Sequence, residues 1–408
     1  MIEDLHCSAK NDWLVEEKTT ERRADVQENS KIIVHIDFTG TYNESTNYQE
    51  NLLPRENRKH GHKVFFIGTC YMWDNGKEKK VDPSIRVLDD GVVLYRLPYK
   101  HIVNDWISRK VRAVPGVYSL LEKLNPDIIM IHCLQSFAYL QVAKYKRNHS
   151  NVVLYADSHT DKYNSARNFI SRIILHGMFY RGIFKIIEKD IDRVFYLSPE
   201  IKDFLTEIYK CPESKMELMV AGGTIPDREQ YDLLREKYRK ELEISDDEVL
   251  FIHTGKFNSV KKTQDVIECF SRCKSGKSKL VLVGVMNSEI ESEYLNHKQS
   301  NILYIGWKSG SELIGFLCAA DVYLQPGSQS ATAEQAACCR CAMVLYPYLW
   351  HKLIYGDEVK YVVNVNELEN AIAELAENSK ELKDQAEKIF VLAKEKLDYS
   401  RIARRIEK

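Results

Sequence analysis

Short runs of apolar, largely β-branched residues punctuate the chain, each followed by a longer stretch with apolar positions at helical spacing. Six runs come first: KIIVHIDF, HKVFFIGTC, GVVLYRLPY, PDIIMIHC, NVVLYADSH and RVFYLSP. Six more follow: VLFIHTGKF, SKLVLVGV, NILYIGW, ADVYLQPG, CAMVLYP and VKYVVNV. A strand with one wet face alternates apolar and polar positions. These runs are continuous, which suits strands buried on both faces of a parallel sheet. The intervening stretches, KKTQDVIECFSRC and SGSELIGFLCAA among them, supply the crossover helices that parallel neighbours require. The pattern predicts an α/β fold of two doubly wound, Rossmann-like domains flanking a cleft. The seam is expected in ELMVAGGTIPDREQ, where Gly222, Gly223 and Pro226 break the periodicity. The predicted organisation is a polar extension over 1–30, a first domain over 31–221 and a second over 222–385. A charged helix over 386–408 then caps the second domain or crosses back to the first.

The chain has 408 residues, too many for one ordinary core, which agrees with two domains. A net charge of −1 lacks the basic excess of a dedicated nucleic-acid binder. No apolar run is long enough to cross a bilayer, and the first thirty residues lack the apolar centre of a secretion signal. The ten cysteines are scattered and several lie inside apolar runs, as small buried residues do in a reducing compartment; a cytoplasmic protein is expected. Cys338, Cys339 and Cys341 have no second pair at zinc spacing, so no metal site is expected there.

Ligands of open parallel sheets bind at the carboxyl ends of the strands. No glycine-rich dinucleotide fingerprint or Walker loop follows any run. After VLFIH comes TGKFNSVKKTQDVI, where Gly255 allows a tight exit and Lys256 and Lys261 precede a helix expected to begin near Lys262. Two ammonium groups beside a helix N-terminus form a cradle for a diphosphate; a solvated basic turn is the alternative. A second anion site is read in QPGSQSATAEQAACCRC. The helix is expected to start within 328–332, with Ser330 and Thr332 as caps and Ser328 and Ala331 leaving room for phosphate at the backbone. Glu334, one turn in, is placed to accept from vicinal hydroxyls such as those of a ribose, or else to cap its own helix.

In the first domain, YADSHTDKY puts Asp157, His159 and Asp161 just past a strand. His159 is a candidate donor, base or ligand, and His132, ending the preceding strand, is its rival. The loop holding Gly40, Tyr48, Gln49 and Asn51 is expected to face the cleft, with a polarity that suits hydroxyl-rich ligands. The stretch ARNFISRIILHGMFYRGIFKIIEK joins aromatic and aliphatic residues to Arg167, Arg172, Arg181, Lys185 and Lys189. It reads as a basic amphipathic helix lying on anionic lipid, or as a core-facing helix of the first domain.

Taken together, GKFNSVKK, LYIGWKSGSELIGFLCAADVYLQPGS and TAEQAACCRCAMV, with YQENLLPRENRKHGHKVFFIG and YADSHTDKYNSARN, resemble the retaining glycosyltransferases of family four, which adopt the GT-B fold. The likeness runs from Lys31 to Lys408 and is nearest to bacterial enzymes that build capsule, lipopolysaccharide or exopolysaccharide. It implies a nucleotide-diphosphate sugar, for example a UDP-sugar, held by the second domain, and a glycan or lipid-linked acceptor held by the first. It implies no cofactor and no metal. The family's glycine-arginine…lysine pattern falls on Gly255, Lys256 and Lys261, with lysine in place of arginine. The family histidine falls on His159 and the ribose-binding glutamate on Glu334. The partner glutamate seven residues earlier is replaced by Pro326, so that Gln325, Ser328 or Gln329 would have to supply polar groups beside the sugar. The nucleotide base is expected at Gly306 and Trp307. A nucleotide-sugar epimerase, or a glycan-binding subunit without turnover, remains the alternative on this fold.

Overall fold

A computed structural model describes residues 30–408 except 45, 47, 75–76, 163–164, 167 and 274. The expected extension, except Ser30, and Arg167 therefore lie outside the described residues. Ten strands come from the first part of the chain. They are β1 (Ile32–Ile36), β2 (Lys63–Thr69), β3 (Tyr71–Asp74), β4 (Lys77–Lys80), β5 (Ser84–Val87), β6 (Val93–Leu97), β7 (Ile128–Ile131), β8 (Val153–Ser158), β9 (Arg193–Tyr196) and β10 (Met216–Leu218). Eight of them form one sheet in the order β10-β9-β8-β7-β1-β2-β6-β5, parallel except for the edge strand β5. β3 and β4 make a separate antiparallel hairpin. The second part forms a six-stranded parallel sheet from β11 (Val249–Lys256), β12 (Ser278–Val285), β13 (Ile302–Tyr304), β14 (Val322–Gln325), β15 (Ala342–Leu345) and β16 (Lys360–Tyr361), in the order β13-β12-β11-β14-β15-β16. All twelve apolar runs are strands, and the fold is the expected pair of Rossmann-like sheets.

Successive strand residues face opposite sides of a sheet, so each continuous run feeds two layers. In β1, Val34 and Ile36 enter the main core of the first domain. His35, between them, faces the other side, towards the Gln49–Lys59 helix. The β11 residues divide likewise: Leu250 and Ile252 join one core of the second domain and Phe251 joins the other.

The two domains are linked by two passages that run side by side. The Gly223 N–H donates to the Leu397 carbonyl at 2.8 Å, and the Tyr399 N–H donates to the Gly223 carbonyl at 3.1 Å. Helix Ser379–Lys396 packs on the second domain through Ile389 and Ala393. The chain turns at Leu397, and Tyr399, Ile402, Ala403 and Ile406 pack on Leu52, Leu53, Met130 and Phe195 of the first domain.

Candidate active site

β11 leaves its sheet through Gly255, whose φ of +129° is open to glycine and strained for other residues. A Cβ there would lie 2.6 Å from Lys261 Cε and 2.9 Å from its Nζ, so the lysine lies across the glycine backbone. Asn258 accepts from the Lys261 N–H and caps the short turn Ser259–Lys261, after which helix Thr263–Ser271 begins. Behind this turn His253 is locked between the Leu324 carbonyl at 2.7 Å and Thr263 Oγ1 at 3.0 Å. Gly327 completes the fit, since a Cβ on it would stand 2.4 Å from the Val260 carbonyl oxygen. The two predicted phosphate loops therefore touch. Lys261 is largely buried, and among the described residues no carboxylate pairs with it. Burial alone lowers its pKa to about 8. Lys256 is exposed at the mouth.

On the facing loop, Gln325 ends β14 and its amide donates to the Ser328 carbonyl at 2.7 Å. Helix Ala331–Cys338 starts as expected after Ser330, but no side chain caps it. The expected capping by Ser330 or Thr332 is therefore absent, because Ser330 is drawn towards Tyr323. The first-turn N–H groups stay open to an anion. Glu334 is 4% exposed and accepts from the Trp350 indole N–H at 3.1 Å through Oε1. Burial pushes its carboxyl up to about 7, against the helix backbone and Trp350. Trp307 follows Gly306 at the end of β13 and is 63% exposed, outside any core.

In the first domain the central group is Asp157, fully buried at the end of β8. Its Oδ1 accepts from the Cys133 N–H at 2.9 Å and pairs with His159 Nε2 at 3.3 Å. Its Oδ2 faces His132 Nδ1 at 2.8 Å and accepts from Gln49 Nε2 at 3.1 Å. Burial disfavours the carboxylate, yet His159 and His132 hold it well below the usual range. Burial likewise opposes charge on His159, but Asp157 outweighs it and raises the imidazole to about 9. The rival histidines thus share one carboxylate. His132, Asp157 and His159 offer ligand atoms within 4.8 Å of one another, a spacing a cation could bridge. His132 meets the carboxylate in a hydrogen bond and His159 meets it as an ion pair.

The polar front loop is only partly a cleft surface. Tyr48 is 61% exposed, and Gly40 is exposed while its carbonyl accepts from Thr69. Asn51 is buried, with its oxygen taken by Thr46 and its amide by the Asn43 carbonyl, so its expected place in the cleft is corrected to a loop brace. Its neighbour Glu50 is the residue that sequence reasoning passed over. Burial raises its pKa, and the charge of His159 is the strongest influence against that rise. Burial raises the pKa of the Tyr399 hydroxyl, and the charges of Glu50 and Glu334, from opposite domains, add to that rise. Trp350 was also missed, because no spacing rule links it to a residue sixteen positions away.

Among the described residues, three buried acceptor oxygens have no hydrogen-bond partner: Gln49 Oε1 at a helix start, Gln325 Oε1 at the end of β14 and Glu334 Oε2 in the first turn of the following helix. A ligand that brings hydroxyl donors to them and a phosphate to Lys261 would satisfy both halves at once.

Residues 53–220 match the family model Glycosyltransferase Family 4, and residues 234–390 match Glycosyl transferases group 1. No curated protein sequence matches the chain. Among solved structures it is similar to sucrose-phosphate synthase from Thermosynechococcus elongatus, at 15% identity and a TM-score of 0.64, over 92% of this chain and 97% of that one. It is also similar to Anabaena Alr3699/HepE in complex with UDP and glucose, at 12% identity and a TM-score of 0.61, over 92% and 98%. WaaG, a glycosyltransferase involved in lipopolysaccharide biosynthesis, matches at 15% identity and a TM-score of 0.61, over 92% and 98%. The chain thus joins a Glycosyltransferase Family 4 domain over 53–220 to a Glycosyl transferases group 1 domain over 234–390, on the two Rossmann-like sheets of the GT-B fold.

Proposed function

We propose that the chain transfers a sugar from a nucleotide-diphosphate sugar to a hydroxyl of a glycan or lipid-linked glycan, with retention at the anomeric carbon. The observation that carries this reading is Lys261: a largely buried ammonium with no paired carboxylate among the described residues, laid across Gly255 and beside an uncapped helix N-terminus. Lys256, Lys261 and the N–H groups after Ser330 would hold the diphosphate, with Glu334 on the ribose and Trp307 near the base. UDP is the first nucleotide to test, because HepE was solved with it. In the transfer, the anomeric carbon–oxygen bond breaks and the diphosphate keeps the electron pair. The acceptor oxygen bonds to the same face of the carbon, and its proton passes to the departing phosphate. Stabilising that leaving group is an electrostatic task, for which two lysines suffice without a metal. His159, charged through Asp157, would stand near the transferred sugar, with Gln49 and Tyr48 on the acceptor side.

Replacing both lysines, Lys256→Ala with Lys261→Ala, is expected to lower kcat/KM with labelled UDP-sugars on the order of 100-fold to 1,000-fold. The wild-type rate should be indifferent to EDTA, and anomeric NMR of the product should show retention. Unchanged rate and sugar-donor affinity in the double variant would sink the phosphate assignment. A second reading is favoured by Pro326, which removes the family's carboxylate from beside the sugar: a glycan-binding subunit without turnover. Binding of labelled sugar donor with no release of nucleotide identifies it, and an epimerised sugar donor identifies the epimerase.

We also propose peripheral contact with anionic lipid. Helix residues 169–187 bury His176, Tyr180, Ile183, Phe184 and Ile187 and expose Phe169, Ile170, Ile174 and Met178 on the outside, with Arg172 and Lys185 beside them. Flotation with anionic vesicles tests it. No helix among the described residues is long and apolar enough to cross a membrane.

A further inference from the structure

Beside the front loop, a cavity of about 420 Å³ separates the β3–β4 hairpin from helix Asp105–Val111. Tyr71, Glu78, Lys80, Asp105 and Arg109 line it. Its size falls within the roughly 300–1,000 Å³ of small-molecule sites. The hairpin register explains which side chains reach it. Tyr71 pairs with Lys80 and Trp73 with Glu78, and residues directly opposite in an antiparallel ladder share a face. Tyr71, Trp73, Glu78 and Lys80 therefore stand on one side of the hairpin. Asp105 and Arg109 face them from positions one helical turn apart.

The two walls touch through their polar ends. The Tyr71 hydroxyl donates to Asp105 Oδ1 at 2.9 Å. The Arg109 guanidinium pairs with Glu78 and lies 4.8 Å from the centre of the Tyr71 ring. Both carboxylates keep further lone pairs, and Arg109 keeps further N–H groups. Lys80 has no ion pair among the described residues. Trp73 is 51% exposed, yet its backbone is clamped by the Asn43 amide. Its N–H donates to Asn43 Oδ1 at 2.7 Å, and Asn43 Nδ2 donates to its carbonyl at 2.8 Å. The front loop thus holds an uncovered indole in a fixed place.

The lining charges balance, with two carboxylates against one ammonium and one guanidinium. A phosphate would meet the carboxylates as well as the cations. A neutral polyol can instead accept from the cations and donate to the carboxylates. An aromatic ring next to such a set offers its surface to the C–H face of a pyranose. We propose that this cavity binds a neutral saccharide unit of the acceptor glycan, with Trp73 as its stacking platform and Glu78, Lys80, Asp105 and Arg109 as partners of its hydroxyl groups. The hairpin follows directly on β2, and β7 and β1 lie between β2 and β8, whose end carries Asp157. Those three strand spacings amount to roughly 14 Å, so the bound unit is distant from the reacting hydroxyl. Its role as acceptor rests on the sugar-transfer reading; the binding of a saccharide there does not.

The test is an array of immobilised neutral and anionic oligosaccharides, probed with the full chain in the absence of nucleotide sugar. Neutral oligosaccharides should be retained, and Trp73→Ala should weaken their binding about tenfold. Glu78→Gln, which keeps the shape and removes the charge, should weaken it as well. Neither residue belongs to a core cluster, so both variants should fold. With the retained oligosaccharide as acceptor, Trp73→Ala should raise KM more than it lowers kcat. Lys256→Ala with Lys261→Ala should lose the response to UDP-sugars and still retain the oligosaccharide, which keeps the two readings apart. Retention of no neutral oligosaccharide, retention of anionic ones alone, or equal retention by wild type and both variants overturns the proposal. Retention that depends on Trp73, in a chain that transfers no sugar, would support the cavity and sink the sugar-transfer reading instead.

Discussion

Glu334 shows how a single carboxylate can be expensive to the empty protein and useful to the loaded one. It is buried with Oε2 unpartnered, and burial pushes it to about 7. A group whose folded value lies above its ordinary 4.5 favours folding when protonated. That contribution is whole below about pH 4.5 and is lost as pH rises through about 7. Glu334→Gln should therefore raise the Tm of the ligand-free chain near pH 8 more than near pH 5, by on the order of 1–3 kcal/mol in stability. It should also weaken binding of the nucleotide sugar roughly tenfold, as one charge-assisted hydrogen bond is lost. Thermal shifts at both pH values, with and without ligand, measure the two effects. An equal gain at both pH values removes the ionising carboxylate from the account. The positions of Glu334 and Lys261, one turn into a helix and after a strand end, were legible in the sequence because strand ends and helix starts have local signals. The Trp350 contact and the sharing of Asp157 by His132 and His159 were not, since they join residues that only the folded chain brings together.

Among the elements, the twelve continuous apolar runs were readable because burial on both faces leaves no polar position in the pattern. β3, β4, β5 and β10 were not. β4 is KEKK with every residue exposed, and nothing apolar marks it as a strand. The helix over 169–187 was ambiguous for the opposite reason: it is apolar on two sides. One side enters the domain core, as the core-facing reading has it, and the other faces solvent, where the proposed lipid contact would fall. Ile170→Glu with Ile174→Glu places charge on the outer half alone. Flotation with anionic vesicles should be lost in that variant, while Tm changes little, since neither residue is buried. Vesicle binding that survives the double substitution would exclude this face.

At the level of the whole molecule, the two passages between domains form a hydrogen-bonded pair, and Gly222 lies where they touch. A Cβ on it would stand 2.1 Å from the Leu397 carbonyl oxygen and 2.7 Å from Ile402 Cδ1. Gly222→Ala should part the passages and lower Tm by roughly 5 °C, whereas Gly276→Ala, with open space around it, should not. Equal melting of the two variants would show that the paired passage is not a constraint. The seam itself was announced by Gly222, Gly223 and Pro226. The return of the C-terminal segment to the first domain was left open, because an amphipathic helix does not say which surface covers it. By itself the sequence determined two parallel α/β domains, and it placed the lysines and the glutamate at strand ends and a helix start, all of which depend on local periodicity and local backbone demands. Tertiary structure alone decided that, among the described residues, no carboxylate pairs with Lys261 and that one aspartate serves two histidines. Desolvation and hydrogen-bond direction depend on neighbours remote in the chain, and only the closed fold supplies those.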